Sequence, residues 1–237
     1  MGEYALRKKI IGIIGGMGPL ATADLFKKIV INTKADRDQE HIRVLIDNNT
    51  EIPDRTAAIL NGGKDPIPQL VKSATLLSNM GADLLIIPCN TAHYFYKEIQ
   101  KNVEIAVLNM IELTRDTLIK NGIKKAALLA TKGTIKSGIY QKVFDSSGVE
   151  LIVPEEDEQM VIMDLIYKGV KAGKKDYSVA DTKKVMENLV SRGAETLILG
   201  CTELPLAKDM YDLDFNTCDP TLELAKGAIL AAGGECL

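Results

Sequence analysis

The sequence predicts an α/β chain made of two similar, Rossmann-like α/β domains with mostly parallel sheets. The two are related by internal duplication and face each other across a cleft. Three observations predict this. Short apolar runs alternate with longer amphipathic stretches along all 237 residues. Several of those runs lack in-and-out alternation, as strands covered on both faces do. Two blocks of the chain also match each other at two places with nearly the same offset.

The strands are expected at 10–14, 42–46, 84–87, 105–108, 126–130, 150–153, 196–199 and 214–217, all rich in Ile, Val and Leu. Between them the helical spacing predicts helices at 21–33, 54–61, 68–79, 94–101, 111–121, 137–146, 158–172 and 178–191, with a last one at about 221–231. Regular strand–helix alternation favours parallel sheets. The clearer repeat aligns Gly81-Ala82-Asp83-Leu84-Leu85-Ile86-Ile87-Pro88-Cys89-Asn90 with Gly193-Ala194-Glu195-Thr196-Leu197-Ile198-Leu199-Gly200-Cys201-Thr202. A weaker one pairs Gly12–Gly18 with Ala127–Gly133. The duplication places a first domain at 1–110 and a second at 111–215, with 216–237 returning to the first.

Bulk properties narrow the function classes. A net charge of −3 with scattered Lys and Arg gives no pull toward nucleic acid or anionic membrane. No apolar run is long enough to span a bilayer, and MGEYALRKKI lacks a signal peptide's apolar segment, so the expected location is cytoplasmic. Four cysteines (Cys89, Cys201, Cys218, Cys236) and two histidines (His41, His93) show no metal-ligand spacing, and no metal site is expected. Free thiols are the expected state.

Cys89 and Cys201 each follow a strand at the sheet edge where ligands of open parallel sheets bind. Each precedes polar, cap-type residues. Asn90 or Thr91 is expected to cap a following helix, whose first N–H groups would suit a carboxylate. Cys218 and Cys236 lack this setting and read as apolar filler. His93 could pair with the Cys89 thiol, but its spacing favours a supporting role.

Gly15-Gly16-Met17-Gly18-Pro19, Ile52-Pro53-Asp54-Arg55, Pro88-Cys89-Asn90-Thr91-Ala92-His93 and Leu199-Gly200-Cys201-Thr202-Glu203-Leu204, in this order, resemble the aspartate racemase branch of the aspartate/glutamate racemase family. The resemblance covers essentially the whole chain. Glutamate racemases carry Asp-Ser-Gly after the first strand and His after the second Cys-Thr. This chain has Gly-Gly-Met-Gly-Pro and Glu203 there. The resemblance implies interconversion of L- and D-aspartate, with no cofactor and with Cys89 and Cys201 on opposite faces of Cα. One thiolate removes the proton while one thiol returns it. Glutamate or a broader amino-acid range is the alternative. The resemblance places Met17, Asp54, Arg55, Thr56, Asn90, Thr91, Ala92, Thr131, Lys171 and Thr202 around the amino-acid substrate, with Glu203 and His93 behind them. Arg55 and Lys171 would bind substrate carboxylates. A homodimer is implied as well.

Other classes fit less of the sequence. Gly16-Met17-Gly18-Pro19-Leu20-Ala21 matches a loose dinucleotide-binding loop, which would make the chain an NAD-dependent dehydrogenase. A non-catalytic small-ligand-binding protein would suit two domains around a cleft. Neither gives the two cysteines a shared purpose. A hydantoin racemase, maleate isomerase or decarboxylase is closer, but Ile-Pro-Asp-Arg and Cys-Thr-Glu point away from these.

Overall fold

The computed structural model describes residues 8–237; residues 1–7, part of the segment read for a signal peptide, lie outside them. Two four-stranded parallel sheets with flanking helices form the α/β architecture. The first contains β1 (Ile11–Gly15), β2 (Val44–Asn48), β3 (Leu84–Ile86) and β4 (Ala106–Val107), in the order β2-β1-β3-β4. The second contains β5 (Lys125–Ala130), β6 (Glu150–Ile152), β7 (Thr196–Gly200) and β8 (Thr217–Cys218), in the order β6-β5-β7-β8. The orders are the same, so β3 and β7 occupy equivalent places. All strand pairs are parallel, with Ile11 opposite Leu84 in one sheet and Ala126 opposite Thr196 in the other.

The helices are α1 (Pro19–Asn32), α2 (Arg55–Leu60), α3 (Ile67–Asn79), α4 (Tyr96–Lys101), α5 (Met110–Lys120), α6 (Lys132–Ser137), α7 (Ile139–Phe144), α8 (Glu156–Asp164), α9 (Ala180–Ser191), α10 (Glu203–Tyr211) and α11 (Pro220–Ala231). Pro19 and Pro220 each open a helix, where a missing N–H costs nothing. Each sheet has an outer core of its own. Leu85 and Ile87 pack with Leu70, Leu77 and Ile99. Leu197 and Leu199 pack with Ile162, Met186 and Leu189. A third core joins the halves: Ile13 and Ile86 of one sheet share it with Leu128 and Ile198 of the other, through α5 and α11.

Several elements differ from the sequence expectation. The strand expected at 42–46 sits two residues later, where it pairs with β1 from Val44 onward. The strand expected at 214–217 is reduced to Thr217–Cys218 and joins the second sheet beside β7, so it does not return to the first half. The tail after α11 does return there, pairing Cys236 with Thr33. The segment 203–211 is helical, although no helix is expected there from the sequence. Pro205 falls in the first turn of α10, where no N–H is required. The chain leaving β5 becomes the capped start of α6: Thr131 Oγ1 accepts from the Thr134 N–H. Gly138, at φ 67°, then breaks the helical run before α7. The helix expected at 94–101 begins as a 3₁₀ turn, Thr91–Phe95, before α4. The helix expected at 158–172 is α8 followed by a π-helical turn, Leu165–Val170.

The halves also meet where α2 touches α6. A Cβ on Gly133 would lie 2.7 Å from Thr56 Oγ1 and 3.0 Å from Thr56 Cα. Only glycine allows this approach. Gly133→Val should therefore overpack the junction and cost about 1–3 kcal/mol. A urea midpoint unchanged from wild type would contradict that packing.

Candidate active site

The C-terminal ends of β3 and β7 open onto one narrow cleft between the halves. Met17, Asp54, Arg55, Thr56, Cys89, Asn90, Thr91, Thr131, Tyr167, Lys171, Cys201, Thr202 and Glu203 line it. Cys89 and Cys201 are buried, 6% and 7% exposed, and both are free thiols. The structure thus gathers the residues picked from the sequence, apart from Ala92 and His93. Tyr167 is an addition.

The two thiols have unlike neighbours. Cys89 faces Arg55. Burial works against the Arg55 charge, but Cys89 and then Asp54 outweigh it and raise the guanidinium's pKa. Arg55 is aimed by backbone carbonyls: it donates to Ile52 O at 3.2 Å, Pro53 O at 2.9 Å and Met17 O at 3.3 Å. Its Nε is buried without a partner among the described residues. Asp54 does not orient it; Asp54 caps α2 by accepting from the Ala57 N–H at 2.7 Å.

Cys201 instead meets a carboxylate. Its Sγ donates to Glu203 Oε2 at 2.9 Å, and Lys171 Nζ lies 2.7 Å from Glu203 Oε1. Burial first, then the Glu203 charge, push the Cys201 thiol well above its ordinary range. Lys171 is therefore no solvated helix-end lysine. Its ammonium sits 5.6 Å from the Tyr167 ring centroid, and Glu203 raises its pKa against the opposing effect of burial. The sequence carries a signal for Tyr167: it lies four residues before Lys171 in one helical stretch.

The turn after Cys89 does not use the expected cap. Neither Asn90 nor Thr91 bonds the turn's N–H groups with its side chain. Asn90 Oδ1 accepts from the Tyr140 hydroxyl at 2.6 Å, while Asn90 Nδ2 is buried and unpartnered among the described residues. The hydroxyls of Thr91, Thr131 and Thr134 form a triangle of 2.9–3.1 Å sides across the two halves. The Ala92 N–H turns to Cys89 O at 3.2 Å, so Ala92 stays out of the cleft.

His93 supports the turn and is no base for the thiol. Its Nδ1 pairs with Cys89 O at 2.9 Å, and its Nε2 accepts from the Met110 N–H at 3.2 Å. This network calls for the neutral ring protonated at Nδ1. Burial lowers its pKa from 6.5 to about 4.

The glycine loop is filled by its own chain. Gly16, at φ 90°, approaches the Asn49 backbone so closely that a Cβ would sit 2.3 Å from Asn49 C. Its N–H donates to Thr22 Oγ1 at 2.9 Å. These contacts use the loop for packing rather than for cradling phosphates. Among the described residues no cluster of three or more His, Cys, Asp or Glu could hold a metal, and no helix is long and apolar enough to cross a membrane.

Two outcomes follow. The folded state disfavours protonated His93, so its contribution to stability is full above pH 6.5 and is lost as pH falls toward 4. The loss amounts to about 3 kcal/mol. Urea titrations across this window should show His93→Gln with a flatter slope than wild type; parallel slopes would refute the assignment. Glu203→Gln removes a charge that raises the Cys201 pKa, so the pH profile for alkylating Cys201, followed in a Cys89→Ser background, should move to lower pH. A shift upward, or none, would contradict the Glu203 assignment.

Comparison with known proteins converges on one family. Residues 14–228 match the family described as Asp/Glu/Hydantoin racemase. The aspartate racemase of Picrophilus torridus superposes with a TM-score of 0.86 at 33% identity, over 97% of this chain and 96% of its own. A broad-specificity amino-acid racemase of Bacillus subtilis (strain 168) is 28% identical over 236 residues, 93% of this chain and 96% of that protein. The glutamate racemase of Aquifex aeolicus is 34% identical over 144 residues, covering 57% of this chain and 52% of that protein. The chain belongs to the Asp/Glu/hydantoin racemase family and is an isomerase.

Proposed function

We propose that this chain interconverts L- and D-aspartate without a cofactor, by two-base proton transfer at Cα, with Cys89 and Cys201 as the bases. The observation that carries the reading is that two buried thiols, at equivalent strand ends of the two halves, line one cleft. Residues 1–110 supply the Cys89 wall and residues 111–215 the Cys201 wall. The family resemblance that suggests aspartate also suggests a homodimer.

In each turnover one sulfur is a thiolate and the other a thiol. The thiolate takes the Cα proton, and the electron pair of the C–H bond moves toward the α-carboxylate. The opposite thiol gives its proton to the other face of Cα and becomes the thiolate. Configuration is inverted and the two protonation states are exchanged, which readies the enzyme for the reverse reaction. The charge that develops on the carboxylate needs fixed donors in a water-poor site. Asn90 Nδ2, with two free N–H groups among the described residues, supplies them. Arg55 Nε and Lys171 take the side-chain carboxylate, Lys171 exchanging Glu203 for the substrate. Glu203 stays with the Cys201 thiol.

A broader amino-acid range is the second reading, and one observation favours it. A neighbouring cavity shares Met17, Arg55, Lys171 and Glu203 with the cleft and continues over Pro19, Leu20, Val170 and Leu206. Longer, less polar side chains would fit there.

The test is solvent deuterium exchange at Cα with aspartate, glutamate and methionine. The wild type should exchange and invert aspartate. Cys89→Ala and Cys201→Ala should each lose racemisation by about 10²–10⁴-fold or more, while exchange from one face survives. Full racemisation by either variant would sink the two-thiol mechanism. Equal rates with methionine would favour the broader range.

A further inference from the structure

The Asn90 amide has two ends with different fates. Its Oδ1 accepts from Tyr140 at 2.6 Å, and its Nδ2 is buried, unpartnered among the described residues and part of the cleft wall. Asn90 itself is 2% exposed. Tyr140 belongs to α7 in the other half, is 0% exposed and stacks on Phe144 with ring centroids 5.9 Å apart.

We infer that Tyr140 is a positioning residue for the reaction: by holding Asn90 Oδ1 it turns the amide nitrogen toward the substrate carboxylate. The inference rests on the proposed racemase chemistry. A carboxamide has nearly the same shape when rotated by half a turn, so packing alone does not choose its orientation. The partner at the inner end chooses. Burial keeps the phenol protonated, because its ionisation is pushed well above the ordinary tyrosine range. The phenol therefore keeps the proton that it donates to Oδ1. With that bond made, both hydrogens of the Asn90 nitrogen are left for an acceptor. The reversed amide would aim a carbonyl oxygen at an anion. A carboxylate is the acceptor that suits the observed orientation, and every amino acid carries one at Cα.

This arrangement also makes carboxylate recognition a joint product of the halves. Asn90 lies two positions beyond Pro88 at the end of the β3 segment, and the group that orients it comes from a helix that follows β5.

The test is a double-mutant cycle of Tyr140→Phe and Asn90→Ala, read as kcat and KM in both directions on whichever amino acid the wild type racemises. Phenylalanine keeps the ring and its stacking and removes the hydroxyl alone. Tyr140→Phe should raise KM about tenfold, equivalent to about 1.4 kcal/mol, for both enantiomers, with a smaller change in kcat. Asn90→Ala should raise it at least as much, and the double variant should be no worse than Asn90→Ala alone. A general structural defect would not vanish in the Asn90→Ala background. Wild-type KM in Tyr140→Phe, or losses that multiply in the double variant, would overturn the inference. If the wild type turns over another amino acid and not aspartate, the substrate assignment fails while this cycle is still decisive.

Discussion

The site depends on a ring of three hydroxyls. Thr91 comes from the turn after Cys89, and Thr131 and Thr134 come from the start of α6; all are buried. Each hydroxyl has one hydrogen to give and can accept another, so three of them satisfy one another in a closed circuit. Buried polar groups left unpaired are costly. The ring is therefore complete only when the turn and α6 are docked together. Gly133, inside the same helical turn, allows α2 to come close through Thr56. The cleft is narrow because these contacts hold its two walls at a fixed separation.

Against this symmetric frame, the chemistry is asymmetric. A guanidinium stands beside Cys89 and a carboxylate beside Cys201. Burial and Glu203 together push the Cys201 thiol well above its ordinary range. The duplicated strand ends supply matched positions, and the charged residues around them have diverged. Lys171 ties the arrangement together, since it neutralises Glu203 in the resting cleft and faces the same space as the thiols.

What could be read from the sequence was local and periodic. The apolar runs, the repeated Gly-to-Cys frame and the positions of Cys89 and Cys201 are short-range patterns, and the order of both sheets agrees with them. Arg55 and Lys171 were picked on resemblance; spacing alone would have left Lys171 as a solvated helix end. Tyr140 left no sequence signal, because its link to Asn90 spans 50 positions and exists only after the halves dock. The helix at 203–211 has a weak sequence signal, because Pro205 lies in its first turn. The turn after Cys89 departs from the expected cap because Asn90 and Thr91 spend their side chains on the opposite half and cap nothing.

The core shared through α5 and α11 has a consequence for how this chain can be divided. Ile13, Ile86, Leu128 and Ile198 lie in one buried cluster with residues of the same two helices. Cutting the chain into its two repeats would strip cover from both sheets at once. An ancestral single repeat would have needed a second copy to shield the same face. The halves retain the outline of separate units while sharing one core, so damage near α11 would be felt at both sheets.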